Sequence, residues 1–430
     1  MTAVSLDGSE PVPAVAPSLP IRKVFAVAIG NALEFYDFLT FSIFAVQIGH
    51  CFFPEEASGT ALLKTLAFFG AGFGTRPIGG IVLGIYGDRA GRRPAMLLSF
   101  LLMGIAIFGL ALTPSYAQIG PAAPILLLMF RLLQGFALGG EVGPSTAFLV
   151  EAAPAHRRGL YVALQSTTQS VAVAAAGIVG LVLSASLTPD QLDGWGWRVA
   201  FLLGAAIVPF GLMLRRRLPE TMGPAERAAL PPEKRRISPR LIVLGMLMLV
   251  MGTVCSYVLI YMTSYAQHSL HLPPTTAFGV AALIGCSLIF GSLPSGVLSD
   301  RIGRKPVMLV AALLLLVATL PVFWAMTASP SYLTLYGGTA LLSILLGLTG
   351  PTLTTITESL PPASRSGTIA MLYAFTIMIF GGSTQVVIQW LVDKYQNPMV
   401  PAWYMAGSVV IGLVAILLVD ESAPVKTGQV

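Results

Sequence analysis

The sequence predicts an all-α membrane protein: twelve transmembrane helices arranged as two pseudo-symmetric bundles of six. Three observations carry that prediction. Of the 430 residues, 55% are hydrophobic and only 10% charged, against roughly 25% charged in soluble domains. Apolar runs long enough to cross a bilayer, ~20 residues each, recur along the whole chain. A charged loop that follows the second run returns after the eighth.

Residues 1–20 are rich in Pro, Ala and Ser and read as a flexible cytoplasmic tail. No cleavable signal peptide is expected. Punctuation by Pro, Gly and charge places the first six spans at about 21–48, 59–87, 94–113, 121–151, 159–187 and 196–214. The second six fall at about 239–266, 274–299, 304–327, 331–358, 366–393 and 400–420. Between the sets, 215–238 is a charged cytoplasmic linker with Arg215, Arg216, Arg217, Arg227, Lys234, Arg235 and Arg236. The bundles are therefore 21–214 and 239–420, and 421–430 is a short cytoplasmic tail.

Charge fixes the orientation. With both termini inside, all but five of the 25 Lys+Arg lie in cytoplasmic loops and tails. Lys64, Arg198 and Lys394 fall near outer ends, and Arg76 and Arg131 fall within spans. This is the positive-inside pattern. A net charge of +6 carried on such loops is no nucleic-acid signal.

The repeat is explicit. Gly84-Ile-Tyr-Gly-Asp88-Arg89-Ala-Gly91-Arg92-Arg93-Pro94 and Gly296-Val-Leu-Ser-Asp300-Arg301-Ile-Gly303-Arg304-Lys305-Pro306 stand 212 residues apart. A weaker echo links Glu151-Ala-Ala-Pro154 to Glu358-Ser-Leu-Pro361. Basic residues alone would satisfy topology. The fixed glycines and the leading acid exceed it, and read as charge pairs that lock the inner face and break when the carrier switches. Two parallel halves suit a rocking transporter with its site between them.

Five ionisable residues lie well inside spans, away from their ends, all in the first half: Glu34, Asp37, Arg76, Arg131 and Glu141. On the mildest scale each charge at membrane depth costs at least ~2.5 kcal/mol, so function is the default reading. Arg76 stands eight residues before Gly84, roughly 12 Å inside the membrane at 1.5 Å per residue. Guanidiniums at that depth either grip carboxylates through paired hydrogen bonds or are held in structural pairs by Glu34, Asp37 or Glu141. Glu34 and Asp37 share one sector of span 1. Each of the three carboxylates either loads and releases a coupling proton or locks helices in a fixed ion pair.

The second half offers neutral groups. Tyr257, Tyr261 and Tyr265 recur every fourth residue on one face of span 7, either as packing or as a cavity wall. Gln165 and Gln169 make a facing stripe in span 5, and Ser383, Thr384, Gln385 and Gln389 lie in span 11. Gly70-Ala-Gly-Phe-Gly reads as a close-packing surface, not a phosphate cradle. Cys51, Cys255 and Cys286 read as small hydrophobes, and no His/Cys metal spacing exists. His268 and His271 are expected at the surface. No catalytic dyad appears, so an enzyme is not expected.

These motifs carry a resemblance. The Gly-x-x-x-Asp-Arg-x-Gly-Arg-Arg/Lys loop in both halves resembles the signature of the major facilitator superfamily, and Arg131-x-x-Gln134-Gly135 resembles its span-4 motif. Asn31-Ala-Leu-Glu34-Phe35-Tyr36-Asp37-Phe38, Gly70 to Gly79 and Trp195-Gly-Trp197-Arg198 resemble the metabolite–proton symporter family. Gln165-Ser166-Thr167-Thr168-Gln169-Ser170-Val171-Ala172 resembles its bacterial citrate–cation branch. The resemblance implies the major facilitator fold in a bacterial inner membrane, a functional monomer, and import of citrate or a related carboxylate by symport. It implies protons as the coupling ion, with sodium the alternative, and no cofactor. The same family also carries 2-oxoglutarate, shikimate and betaine/proline, and a proton-antiport exporter is the more distant alternative. Substrate contact is then expected from Asn31, Arg76, Arg131, Gln165, Gln169, Tyr257 and Tyr261, and coupling from Glu34, Asp37 and Glu141. Gating is expected from Gly84, Asp88, Arg89, Gly91, Arg92, Asp300, Arg301, Gly303 and Arg304.

Overall fold

The computed structural model describes residues 32, 35–90, 92–139, 146–147, 149–150, 153–216, 238–329 and 331–428. Asn31, Glu34, Gly91 and Glu141 lie outside them, as do the side chains of Asp88, Arg89 and Arg92. The described residues form helices and contain no strand. Eight of these helices are long and apolar enough to cross a membrane, or nine if a pair bent by 66° counts as one span. Two of the expected twelve, at Leu97–Leu112 and Ala122–Leu138, are shorter apolar helices. The expected sixth span is the helix Trp197–Arg216.

Local chemistry explains where the long runs break. Helices α1 (Phe35–Ile43) and α2 (Ala45–Phe52) meet at the 66° bend, and Phe44 there has φ −98°, ψ 19°. Helix α3 (Ser58–Gly74) passes into α4 (Arg76–Ala90) at Thr75, just before Pro77. Proline cannot donate the helical bond at such a joint. α5 (Arg92–Leu112) and α6 (Ala122–Leu138) follow, then α7 (Arg158–Ser186) and α8 (Trp197–Arg216). In the second half α9 (Pro239–His268), α10 (Pro274–Ile302) and α11 (Arg304–Ala328) are continuous. The next run divides into α12 (Tyr332–Leu348) and α13 (Pro351–Ser359), again at a proline. A π-helical segment, Ile377–Gly381, joins α14 (Pro362–Thr376) to α15 (Gly382–Tyr395). α16 (Val400–Leu418) ends the series.

Glycines set how closely these helices approach, as small residues do where lipid supplies no hydrophobic drive. α3 and α4 press on α6: a Cβ on Gly135 would stand 1.6 Å from the Gly72 carbonyl oxygen, and one on Gly79 1.9 Å from that of Phe136. Two seams join the halves. Gly177 and Gly285 bring α7 and α10 into backbone contact, and Gly70 meets Gly382 where α3 crosses α15. Gly84 is different, because no heavy atom lies within 4 Å of where its Cβ would sit. We therefore expect Gly135→Ala to lower thermal stability in detergent by about 1–3 kcal/mol or more through overpacking. Gly84→Ala should leave the melting temperature within a degree or two, and an equal loss in both would refute this packing account.

Candidate functional site

The buried arginines meet on one aromatic ring. Arg131 of α6 is fully buried, and its guanidinium carbon lies 3.9 Å from the Phe38 ring centroid. Phe41 and Phe69 stand 4.5 and 4.8 Å from the same carbon. One terminal nitrogen donates to the Phe38 carbonyl at 3.3 Å, and the other to the Gln134 side-chain oxygen. Arg76, at the first turn of α4, is also buried and rests 4.4 Å from Phe38 and 4.7 Å from Phe73. Cation–ring attraction is worth about 2 kcal/mol or more when both partners are desolvated.

The second half faces this pair with hydroxyls. Tyr257 of α9 is 5% exposed, its ring 5.4 Å from Phe73 and 5.9 Å from Phe69. It stands beside both arginines, and Tyr373 of α14 approaches Arg76 and Gln169. Tyr373, Phe38 and Phe73 were not among the expected site residues. Their signal in the sequence is faint, because an aromatic in a span is ordinarily packing. The hint was proximity: Phe38 follows Asp37, and Phe73 precedes Arg76 by three positions.

The other expected residues divide. Gln165 is buried and accepts from the Thr146 hydroxyl at 2.9 Å. Tyr261 donates to Gln389 at 2.7 Å, Gln389 donates to Asp393 at 2.8 Å, and Tyr265 donates to the Pro398 carbonyl at 3.0 Å. The three tyrosines thus lead from the arginines toward one end of the bundle. Asp37 is 3% exposed, and its Oδ1 has no hydrogen-bond partner. That oxygen lies against Gly204 of α8, where a Cβ would come within 1.7 Å of it. Glycine at 204 makes room for the carboxyl.

Contacts cross between the repeats at both ends of the long helices. At one end, Asp300 accepts from the backbone N–H groups of Gly159 and Leu160 at 2.8 and 2.9 Å. These are orphan donors at the start of α7. Asp300 also holds Arg304 at 2.6 Å, and Arg304 reaches Glu358 at 3.1 Å. Gly303 has φ +107°, a conformation that favours glycine, while Arg301 is exposed. Glu421 accepts from the N–H groups of Arg304 and Lys305 at 2.9 and 3.0 Å, so part of the terminal tail is docked here. At the other end, Gln47 donates to Gln267 at 2.7 Å. Beside that pair a cavity of about 360 Å³ is lined by His50, Asp193, His268 and His271 among others. His268 is more enclosed than a surface residue, with 20% of its side chain exposed and Asp393 3.7 Å away. Among the described residues no group of three His, Cys, Asp or Glu could hold a metal ion.

The Major Facilitator Superfamily profile matches residues 31–383. The citrate-proton symporter of Klebsiella pneumoniae is 35% identical over 409 residues, covering 94% of this chain and 92% of that protein. The glycine betaine/proline/ectoine/pipecolic acid transporter OusA of Dickeya dadantii is 32% identical over 428 residues, covering 94% and 83%. Among solved structures, the D-xylose-proton symporter superposes with a TM-score of 0.76 at 18% identity, covering 94% of this chain and 98% of that one.

Proposed function

The chain belongs to the Major Facilitator Superfamily, and from that premise we propose a proton-coupled importer of a small carboxylate, citrate or a close relative. The superfamily places it in a membrane as a multi-pass transporter, and its relatives include bacterial citrate-proton symporters and betaine/proline transporters. The finer topology belongs to the proposal: twelve spans in two sets of six, both termini cytoplasmic, working as a monomer by alternating access.

One observation carries the anion reading. Two guanidiniums share the Phe38 ring at membrane depth, so they are no farther apart than the sum of two short distances. Like charges that close in a low-dielectric interior repel, and an anion between the halves relieves the repulsion. Tyr257 and Tyr373 supply hydroxyl donors from the opposite half, which suits a multiply charged carboxylate. The betaine and proline carriers among the relatives make a zwitterion the second reading.

The coupling proposal falls on Asp37. It is buried with a free oxygen, which suits a group that takes up and gives up a proton as the site opens to either side. Glu34 and Glu141 remain proposed partners in coupling. Protons are the proposed ion, and sodium is the alternative.

Counterflow of labelled citrate in proteoliposomes, at varied pH and sodium, tests the reading. Citrate should exchange and should be displaced by other di- and tricarboxylates, with glycine betaine inert. Displacement by betaine and not by citrate would overturn the substrate class. Asp37→Asn should abolish pH-driven accumulation while keeping at least about a tenth of the exchange rate. Accumulation with the wild-type pH dependence would remove Asp37 from the coupling path.

A further inference from the structure

The helix that carries Tyr373 changes its winding one turn further on. α14 ends at Thr376, and Ile377–Gly381 is wound as a π-helix before α15 begins at Gly382. A widened turn frees backbone carbonyls, which a membrane helix must satisfy from within the protein. Here Ser383 donates to the Ile379 carbonyl at 2.6 Å, and Thr384 to that of Phe380. The two sides of the turn are held differently. α14 packs on α4 and α9 and brings Tyr373 to Arg76 and Gln169. α15 packs chiefly on α3, which belongs to the other half. Two close approaches set the register of that seam. A Cβ on Gly70 would stand 2.3 Å from the Gly382 carbonyl oxygen, and one on Gly59 3.3 Å from Asp393 Oδ2. Gly59 and Gly70 are eleven residues apart, as are Gly382 and Asp393, so α3 and α15 lie antiparallel along roughly 16 Å. Between the two approaches, Gln385 uses both ends of its amide. The nitrogen donates to the Tyr257 carbonyl at 3.2 Å, and the oxygen accepts from Ser42 at 2.8 Å. Ser42 stands one turn beyond Phe38 in the first half, and both partners are fully buried.

We infer that α15 is a gate: it turns on the π-helical segment Ile377–Gly381 and is latched to the first half by Gln385 on Ser42. The gate lies at the end of the bundle where Gln47 meets Gln267, which the proposed topology puts outside. A second-half helix held mainly by the first half must let go when the halves part. Its contacts suit release. Gly70 and Gly382 touch with no side chains to interlock. The Gln385–Ser42 bond joins neutral groups, and breaking it costs less than stranding the buried charges around Arg304 at the other end. The hinge is also on the page, because a few residues of widened turn can absorb the change in backbone angles. With the turn at Ile377–Gly381, α15 swings while α14 keeps Tyr373 beside Arg76. Gln385 holds the Tyr257 backbone as well, which ties the latch to the wall of the site.

The test uses no ligand, so its outcome is independent of which substrate is carried. The full-length carrier is purified in detergent with its three native cysteines replaced by alanine. Leu66→Cys reports on the α3–α15 seam, because Leu66 is fully buried one turn before Gly70. Leu160→Cys reports on the opposite end, where the Leu160 N–H donates to Asp300. Gln385→Ala should speed labelling of Leu66→Cys by a soluble maleimide about three- to tenfold, the population change that one hydrogen bond supports. Leu160→Cys should react no faster than in the parent. Equal acceleration at both ends would overturn the gate, because it marks general loosening, and no acceleration at Leu66→Cys would overturn the latch. Hydrogen exchange on the same variant locates the hinge. Amides of 383–395 should exchange faster as one unit, while those of 362–376 keep the parent rates. A uniform rise through 362–395 would overturn the hinge at Ile377–Gly381. Gly382→Ala, whose Cβ would stand 2.9 Å from the Gly70 carbonyl oxygen, should shift labelling in the same direction. If Gln385→Ala yields no monodisperse protein, Ser42→Ala breaks the same bond from the first half and is read in the same way.

Discussion

Arg76→Ala abolishes concentrative uptake of labelled citrate while the protein remains folded and monodisperse in detergent. Arg76 is buried, with its guanidinium on the Phe38 and Phe73 rings, and a hydrogen bond from a charged donor contributes about 1.5–3 kcal/mol. Bidentate contact doubles the count, so the loss in affinity is on the order of 10²–10⁴-fold. Arg76→Lys retains charge but not the planar fork, and should recover only part of it. Direct binding of citrate by calorimetry checks the result without any transport step. Wild-type affinity in both variants would refute Arg76 as the anion's partner.

Arg304→Ala is the second large effect, and it acts on stability. The Arg304 side chain is fully buried between Asp300, 7% exposed, and Glu358, 3% exposed. It also donates to the Ser299 hydroxyl at 2.8 Å. Removing the cation strands two buried carboxylates, which costs about 3–5 kcal/mol. The Ser422 hydroxyl on Glu358 at 2.9 Å cannot replace a charge. Thermal unfolding of the purified variant should show a fall of many degrees. Because Asp300 also holds the N-terminus of α7, the contact between the halves at that end should open. Cysteines introduced on either side, at Leu160 and Ser299, should then react faster with a soluble maleimide. A variant as stable as the wild type, with unchanged labelling, would show that this cluster is not the clasp it resembles.

Composition and period made the class legible: a chain with so little charge has nowhere to be stable but in lipid. The doubled Gly-x-x-x-Asp loop made the two halves legible, and the structure gives that loop a geometry in Asp300, Arg304 and the positive φ of Gly303. Arg76 and Arg131 stood out because charge at membrane depth is costly. Their partners did not stand out. Phe38 and Phe73 look like core in any linear reading, since a ring that holds a cation and a ring that fills a gap have the same sequence. Asp393, Glu421 and Tyr373 were missed for a related reason. Each meets its partner only when distant helices are brought together.

The sequence by itself determined the membrane class, the repeat and the intramembrane charges, because each follows from local composition and spacing along one chain. Tertiary structure alone decided what Asp37, Arg76 and Arg131 pack against. The Asp37 carboxyl packs against Gly204 on α8, where a Cβ would come within 1.7 Å of its Oδ1. Gly72 and Gly135 let α3 and α6 close around Arg131, and Gly139 at the end of α6 packs on Arg76, where a Cβ would stand 2.0 Å from its carbonyl oxygen. Helix packing, set by where side chains are missing, fixed surroundings that charge alone had left open.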